Sequence, residues 1–130
     1  DQYIRWNSSK AIYDFNSKNL DGAILTFEAI HPKWSYAKCD ENGFVAEVAE
    51  KKVISKNATV GVYYWKHGAD YVKSAEEMIK KNIRVNNEFY VCPVYNEFIS
   101  KNKKVKIHNV DEMFGLGTPE DLNNFIQKIK

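Results

Sequence analysis

The sequence predicts a mixed α/β domain that spans residues 1–130 as one unit. Three observations predict this class. Short β-branched and aromatic runs recur along the chain, segments with apolar residues three and four apart lie between them, and no repeat or long linker divides the chain. A length of 130 residues is close to the commonest size of one domain and allows a core without disulfides.

The opening residues carry their own signal, because no Met and no polar segment precede the first apolar side chains Tyr3, Ile4 and Trp6. This pattern is typical of the end of a buried strand, so we expect the chain to be cut within an α/β domain. Residues 6–19 then predict a helix with Asn7 or Ser8 as its N-cap. Its apolar stripe is expected at Ala11, Ile12 and Phe15.

The next segments predict a buried strand followed by a hairpin. Residues 23–29 are mostly apolar, as in a strand buried on both faces, and a turn follows at residues 31–34. Residues 36–39 and 44–50 flank an Asn-Gly pair that favours the positive φ angles of a tight turn. In the second arm one face is expected to carry Phe44, Ala46, Val48 and Glu50, and the other Val45, Glu47 and Ala49.

The middle of the chain predicts one strong strand and two helices. Residues 59–65 are β-branched and aromatic, interrupted only by Gly61. Residues 69–82 predict an amphipathic helix with Val72, Ala75 and Ile79 on the buried face. Residues 89–100 predict another, in which Pro93 must lie near the first turn.

The C-terminal part predicts a strand at residues 103–110 and a final helix. Thr118 and Pro119 have the residue types of an N-cap and a first helical position. The buried stripe of this helix is expected at Leu122, Phe125, Ile126 and Ile129. The preceding Gly115-Leu116-Gly117 is compatible with an anion site at the helix end or with a tight strand-to-helix turn.

Composition excludes several classes of protein. The hydrophobic fraction of 44% and charged fraction of 28% are those of globular rather than disordered chains. A net charge of +2 is far below that of nucleic-acid binders, so no nucleic-acid partner is expected. No apolar run has the length of a signal peptide or membrane span, so no membrane partner is expected. With only Cys39 and Cys92 the chain is no disulfide scaffold, and we expect a cytoplasmic location.

Short motifs occur in a fixed order over most of the chain: Asp1-Gln2-Tyr3-Ile4, Ala49-Glu50-Lys51, Val60-Gly61-Val62-Tyr63, Asn87-Glu88-Phe89-Tyr90-Val91 and Gly115-Leu116-Gly117-Thr118-Pro119-Glu120-Asp121-Leu122. Each motif alone is weak. In this order and spacing the chain resembles the C-terminal part of the sugar-phosphate nucleotidyltransferases, which join an NTP to a sugar 1-phosphate. The resemblance implies a partial Rossmann-like, glycosyltransferase-A-type mixed sheet flanked by helices, with the N-terminal nucleotide-binding strands missing.

The resemblance also implies roles for individual residues. Asp1 matches the Asp that closes a central strand and holds Mg²⁺, which would neutralise phosphate charge during in-line attack. Glu50 and Lys51 match a Glu-Lys-Pro motif in which Glu contacts the sugar and Lys its phosphate, with Lys52 in place of the Pro. Gly61, Tyr63 and Glu88 match sugar-binding positions, although Gly61 is compatible with a plain β-bulge and Glu88 with an acidic residue near a helix N-terminus.

Two departures limit what the resemblance implies. The family's Gly-rich loop with its Arg and Lys is absent, and Gly115 occupies the usual position of a second metal carboxylate, with Asp111 and Glu112 out of register. The expected function is therefore the sugar-phosphate half of a nucleotidyltransferase that makes a nucleotide sugar for glycan assembly. The alternative is a non-catalytic sugar-phosphate-binding or regulatory module of the same fold. The expected partners are a sugar 1-phosphate, an NTP and a second copy of the chain, joined through the apolar face that the truncation would expose.

Overall fold

The computed structural model describes all 130 residues and contains seven strands and four helices. In chain order the elements are β1 (Gln2–Arg5), α1 (Ser8–Ser17), β2 (Gly22–Glu28), β3 (Ser35–Cys39), β4 (Val45–Glu50), β5 (Asn57–Trp65), α2 (Gly68–Lys80), α3 (Val94–Ile99), β6 (Val105–Asn109), β7 (Glu112–Gly115) and α4 (Pro119–Ile129). None of the helices has both the length and the apolar character needed to cross a membrane.

Five strands form a mixed sheet in the order β4-β3-β5-β2-β6, in which only the β2–β6 pair is parallel. The buried strand β2 faces two cores because successive side chains point to opposite sides. Ile24 packs with Tyr95, whereas Ala23 and Leu25 pack with the buried face of α1. The mixed α/β class with helices flanking the sheet is thereby confirmed.

β1 and β7 form a separate antiparallel ribbon, in which Tyr3 pairs with Phe114. The sequence signal for a strand at the opening of the chain is correct, but the expectation of a buried strand is wrong, since Tyr3 is 42% exposed. Asp1 directly precedes this ribbon, and its predicted place at the end of a central strand stays a prediction. The strand β7 was not predicted from the sequence, because only four residues form it and its pairing partner lies at the other end of the chain.

Helices α1, α2 and α4 form where the sequence predicts them, but their apolar stripes are less covered than expected. Asn7 caps α1 by accepting a hydrogen bond from the Lys10 amide, yet Ile12 is exposed. In α2 the buried residues are Ser74 and Met78, whereas the predicted residues Val72 and Ile79 are about half exposed. In α4 no residue is buried. The spacing of apolar residues defines a helix, but tertiary contacts decide which side of it is covered.

Three local predictions are corrected in part by backbone geometry. In the β3–β4 hairpin the expected tight turn forms, since the Gly43 amide donates to the Asp40 carbonyl oxygen over 3.1 Å, but of the Asn-Gly pair only Gly43 adopts a positive φ, of 83°. A register shift next to Cys39 breaks the alternation of β4, and both Val45 and Val48 are buried. The helix predicted at residues 89–100 starts only after Pro93, as α3.

Candidate functional site

A cavity of about 280 Å³ opens where the start of β3 and the end of β4 meet the middle of β5 and the segment that leads into α3. We call it the Glu50 cavity. Its lining includes three of the residues predicted from the sequence, Glu50, Gly61 and Tyr63. The aromatic rings of Trp34 and Tyr90 also line it.

Glu50 is the last residue of β4, and its backbone pairs with that of Ser35. Burial raises the pKa of the Glu50 carboxyl, and the neighbouring Lys51 ammonium counteracts this shift in part. A half-buried carboxylate on a cavity wall is a strong acceptor for hydroxyl groups of a bound molecule. Glu50 is therefore placed as a hydrogen-bond acceptor facing the cavity.

Lys51 follows directly and has a left-handed backbone, with φ of 57°. Its ammonium lies 5.2 Å from the centre of the Tyr90 ring. The pKa of Lys51 is raised, first by its contact with the Tyr90 side chain and further by the carboxylates of Glu50 and Glu88. An exposed residue without Gly's freedom that holds such a backbone conformation is typical of a functional position.

Glu88 lies in a tight turn, because the amide of Val85 donates to the Glu88 carbonyl oxygen and the Glu88 amide donates to the Val85 carbonyl oxygen, both over 2.9 Å. The two residues between them, Asn86 and Asn87, both have positive φ angles. Glu88 does not line the Glu50 cavity, but its charge acts on Lys51. The sequence-based alternative of an acidic residue near a helix N-terminus is wrong, since α3 begins only at Val94.

Gly61 lies in a β-bulge and also lines the cavity. Three residues of β5, Val60–Val62, lie opposite the single residue Leu25 of β2, since Ile24 pairs with Tyr63 and Thr26 with Thr59. Gly61 has φ of 81°, which L side chains rarely adopt. The Gln2 side-chain amide donates to the Val60 carbonyl oxygen over 2.6 Å, so the bulge also anchors β1. The β-bulge interpretation of this glycine is confirmed, whereas its role in sugar binding stays a prediction.

The inner wall of the Glu50 cavity carries a cluster of polar groups, of which the sequence indicated only Tyr63. The hydroxyl of Tyr63 lies 3.1 Å from Thr59 Oγ1 and 3.4 Å from Ser35 Oγ, and the two smaller hydroxyls are hydrogen-bonded to each other. The buried Cys92 thiol adjoins them, and burial raises its pKa to about 12. Ser35 and Thr59, in strands, and Cys92, in the segment before α3, follow no distinguishing pattern, so only the fold reveals that they adjoin Tyr63.

Asp1 lines a second cavity of about 220 Å³, which we call the Asp1 cavity. Gln2, Lys33 and Trp34 line both cavities, so the two adjoin each other. Asp121, in the first turn of α4, lines the Asp1 cavity as well. A Cβ built on Gly115 would lie 3.7 Å from Asp121 Oδ2, so the Asp121 carboxylate lies beside the space that a side chain at position 115 would occupy.

The carboxylates of the Asp1 cavity decide whether Mg²⁺ suits it. No group of three or more His, Cys, Asp or Glu side chains converges in the structure. Mg²⁺ in phosphate-binding sites commonly takes one or two carboxylates and fills its remaining positions with phosphate oxygens and waters. Asp1 and Asp121 meet that requirement on one cavity, whereas Asp111 and Glu112 line a different groove. The donor set therefore fits Mg²⁺.

Comparison with known proteins adds two structural neighbours. No protein-family model matches the chain, and no curated protein matches it. A nucleoside-diphosphate-sugar pyrophosphorylase from Vibrio cholerae RC9 superposes with a TM-score of 0.77 and 27% identity over 86% of this chain and 48% of its own. A Bacillus anthracis protein assigned as a glucose-1-phosphate thymidylyltransferase, in complex with sucrose, superposes with a TM-score of 0.69 and 16% identity over 95% of this chain and 49% of its own. The chain thus spans about half the length of either neighbour.

Proposed function

Since the chain has the fold of sugar-1-phosphate nucleotidyltransferases over about half of their length, we propose that it forms the sugar-phosphate side of such a site. The complete site would join an NTP to a sugar 1-phosphate, release pyrophosphate and yield a nucleotide sugar for glycan assembly. The observation that carries this proposal is the convergence of Glu50, Gly61 and Tyr63 on one cavity, with Lys51 on the Tyr90 ring at its side.

The Glu50 cavity has the chemistry that a single sugar ring needs. The Glu50 carboxylate accepts hydrogen bonds from sugar hydroxyls, while the hydroxyls of Ser35 and Tyr63 both donate and accept. The rings of Trp34 and Tyr90 offer apolar surface to the C–H groups of a sugar. A few directed polar groups within an aromatic wall are characteristic of small-molecule sites.

Lys51 is the residue that we assign to the phosphate of the sugar 1-phosphate. Its ammonium is exposed and makes no ion pair in the structure, so a phosphate can bind it without displacing a carboxylate. Contact with Tyr90 limits the positions that the long side chain visits. An ammonium held in this way would orient the phosphate oxygen for attack.

Asp1 and Asp121 would hold Mg²⁺ in the adjoining cavity, and Mg²⁺ when bound supplies positive charge to phosphate oxygens. The two carboxylates keep that charge beside, and not within, the Glu50 cavity. The unpaired thiols of Cys39 and Cys92 support a reducing, cytoplasmic setting.

A non-catalytic sugar-phosphate-binding module is the second candidate, and Gly115 favours it. Without a side chain at position 115, the Asp1 cavity depends on Asp1 and Asp121 for carboxylates. Both candidates require that the Glu50 cavity bind a sugar 1-phosphate. They differ in whether transfer occurs once a triphosphate-binding loop is present.

The experiment is calorimetric titration of the 130-residue protein with glucose 1-phosphate, glucose and inorganic phosphate. We expect glucose 1-phosphate to bind more tightly than either part alone. Lys51→Ala should weaken the affinity for glucose 1-phosphate about 10- to 100-fold, the range for a lost charge-assisted hydrogen bond. Lys52→Ala, which removes the next exposed ammonium, is the matched control and should change affinity less than about twofold. Absence of binding, or equal effects of the two variants, would overturn the proposal.

A further inference from the structure

Lys33 lies in the loop between β2 and β3, at the junction of the Glu50 and Asp1 cavities. It is the one cationic side chain in the lining of either cavity. No carboxylate lies within ion-pairing distance of its ammonium, and its side chain donates no hydrogen bond within the protein. An unpaired cation between two adjoining concave sites is positioned to contact a ligand that extends across both.

The backbone and ring contacts of this loop fix where the ammonium can reach. The Lys33 amide donates to His31 Nδ1 over 3.0 Å, and the ammonium lies 4.8 Å from the centre of the Trp34 ring. That ring packs edge-on against Phe27, with the ring centres 5.3 Å apart. The Trp34 carbonyl oxygen in turn accepts a hydrogen bond from the Lys51 amide over 3.0 Å. The loop therefore joins the two lysines through one short stretch of backbone.

Charge limits the kind of group that can occupy each part of this surface. Asp1 and Asp121 line the Asp1 cavity and disfavour an anion deep within it. Glu50 has the same effect on the inner part of the Glu50 cavity. The junction beside Lys33 is the place in the lining where an anion meets a positive charge. Phosphoryl oxygens are the anionic groups that suit an exposed, mobile ammonium.

We propose that Lys33 binds the second phosphoryl group of a sugar diphosphate, while Lys51 binds the phosphoryl group attached to the sugar. For its sugar moiety this assignment rests on the proposed function above. It adds the residue that contacts the second phosphoryl group of such a ligand, at the junction of the two cavities. In this assignment Lys33 contacts ligands that carry two phosphoryl groups and does not contact those that carry one.

The test compares three ligands, glucose 1-phosphate, dTDP-glucose and inorganic pyrophosphate, in calorimetric titrations of the 130-residue protein. Lys33→Ala should weaken the binding of dTDP-glucose and of pyrophosphate about tenfold or more. It should weaken the binding of glucose 1-phosphate less than about twofold. Lys33→Arg should retain most of the affinity for both diphosphates. The matched control is Lys38→Ala, since Lys38 is exposed on β3 and lines neither cavity. A ¹⁵N spectrum of each variant reports whether the fold is retained.

The outcomes separate this inference from the proposed function. Unchanged dTDP-glucose and pyrophosphate affinity in Lys33→Ala would overturn the role of Lys33. An equal loss for glucose 1-phosphate would also overturn it, because Lys33 would then contact the first phosphate. If wild-type protein fails to bind glucose 1-phosphate, the proposed function fails, and pyrophosphate alone decides the role of Lys33 since it needs no sugar cavity.

Discussion

The Gln2 side-chain amide donates a 2.6 Å hydrogen bond to the Val60 carbonyl oxygen, in the bulge that contains Gly61. This bond joins the β1–β7 ribbon to the central strand β5, two elements in different sheets. Because Gln2 follows Asp1 and Val60 lines the Glu50 cavity, the same contact holds the two cavities side by side. The geometry of one bulge thus affects both halves of the candidate site.

Gly61→Ala is expected to destabilise the fold. An L side chain at φ of 81° costs about 1–2 kcal/mol, and its Cβ would lie 3.6 Å from Gln2 Nε2. Urea unfolding should show a lower midpoint, while the dependence of the unfolding free energy on urea concentration stays unchanged. Gly68→Ala is the control, because that glycine has no positive φ and an added Cβ would meet no atom within 4 Å, and it should leave stability equal or higher. Equal midpoints for Gly61→Ala and wild type would contradict the argument.

Glu88→Gln is expected to alter ligand selectivity more than stability. Glu88 is exposed in its turn, so the isosteric amide removes charge without disturbing packing. If Glu88 contacts sugar hydroxyls beside Lys51, the ratio of glucose 1-phosphate to mannose 1-phosphate affinity should change about threefold or more, within the range of one lost hydrogen bond. A constant ratio together with an unchanged unfolding midpoint would remove Glu88 from the site.

Stability should fall in alkaline solution. Burial raises the pKa of Cys92 from 9.0 to about 12, and it also raises the pKa values of Tyr63 and Tyr95. Between about pH 9 and pH 12 the unfolded chain has lost the Cys92 proton while the folded chain keeps it, so folding stability decreases with rising pH. Urea midpoints at pH 7, 9 and 10.5 measure this effect. Cys92→Ala should reduce the decrease of the urea midpoint with rising pH above pH 9. If the midpoint falls as steeply in this variant as in wild type, Cys92 is excluded as a cause.

The chain is expected to self-associate through the exposed face of α4. Leu122, Ile126 and Ile129 are 44%, 37% and 60% exposed along one helix that has no buried residue. Association through the β6 edge is less favourable, since Phe44 already forms a bridge to Lys106 there. Light scattering at high concentration should show a dimer or larger species that Ile126→Asp dissociates. A monomer under all conditions would contradict the prediction.

The 130-residue protein alone should release no pyrophosphate from NTP and a sugar 1-phosphate in the presence of Mg²⁺. It has the proposed sugar-phosphate cavity but no Gly-rich loop with Arg and Lys to hold a triphosphate. A coupled phosphate assay with glucose 1-phosphate and each of the four common NTPs measures this. Turnover at a rate of about 1 s⁻¹ or more, typical of enzymes, would show that the triphosphate binds without such a loop.

Sequence patterns predicted the elements whose signals are local. The continuous apolar run of β2 and the aromatic run of β5 identify central strands, and Thr118 with Pro119 identifies the start of α4. Sequence patterns failed to predict burial where contacts between distant parts of the chain determine it. The apolar residues of α4 form a regular stripe, but the spacing of these residues does not predict whether another element covers them.

The same distinction holds for the candidate site. Glu50 and Lys51 were found because they are adjacent in a motif, but nothing in the sequence connects Lys33 with Asp121, which are 88 positions apart and line one cavity. Ser35 and Thr59 form their hydroxyl pair only because β3 and β5 are neighbours in the sheet. Register and loop geometry, rather than residue type, bring these side chains together.

Because Lys51 has a left-handed backbone, stability and the proposed ligand binding favour different residues at this position. Glycine would relieve the conformation at φ of 57°, and asparagine would tolerate it, but neither side chain carries the ammonium. A search for thermostable variants would therefore favour replacing this lysine, whereas a search for ligand binding would favour keeping it. If Lys51 binds the phosphate as proposed, a substitution there that raises stability lowers ligand affinity, and engineering for stability should leave this lysine unchanged.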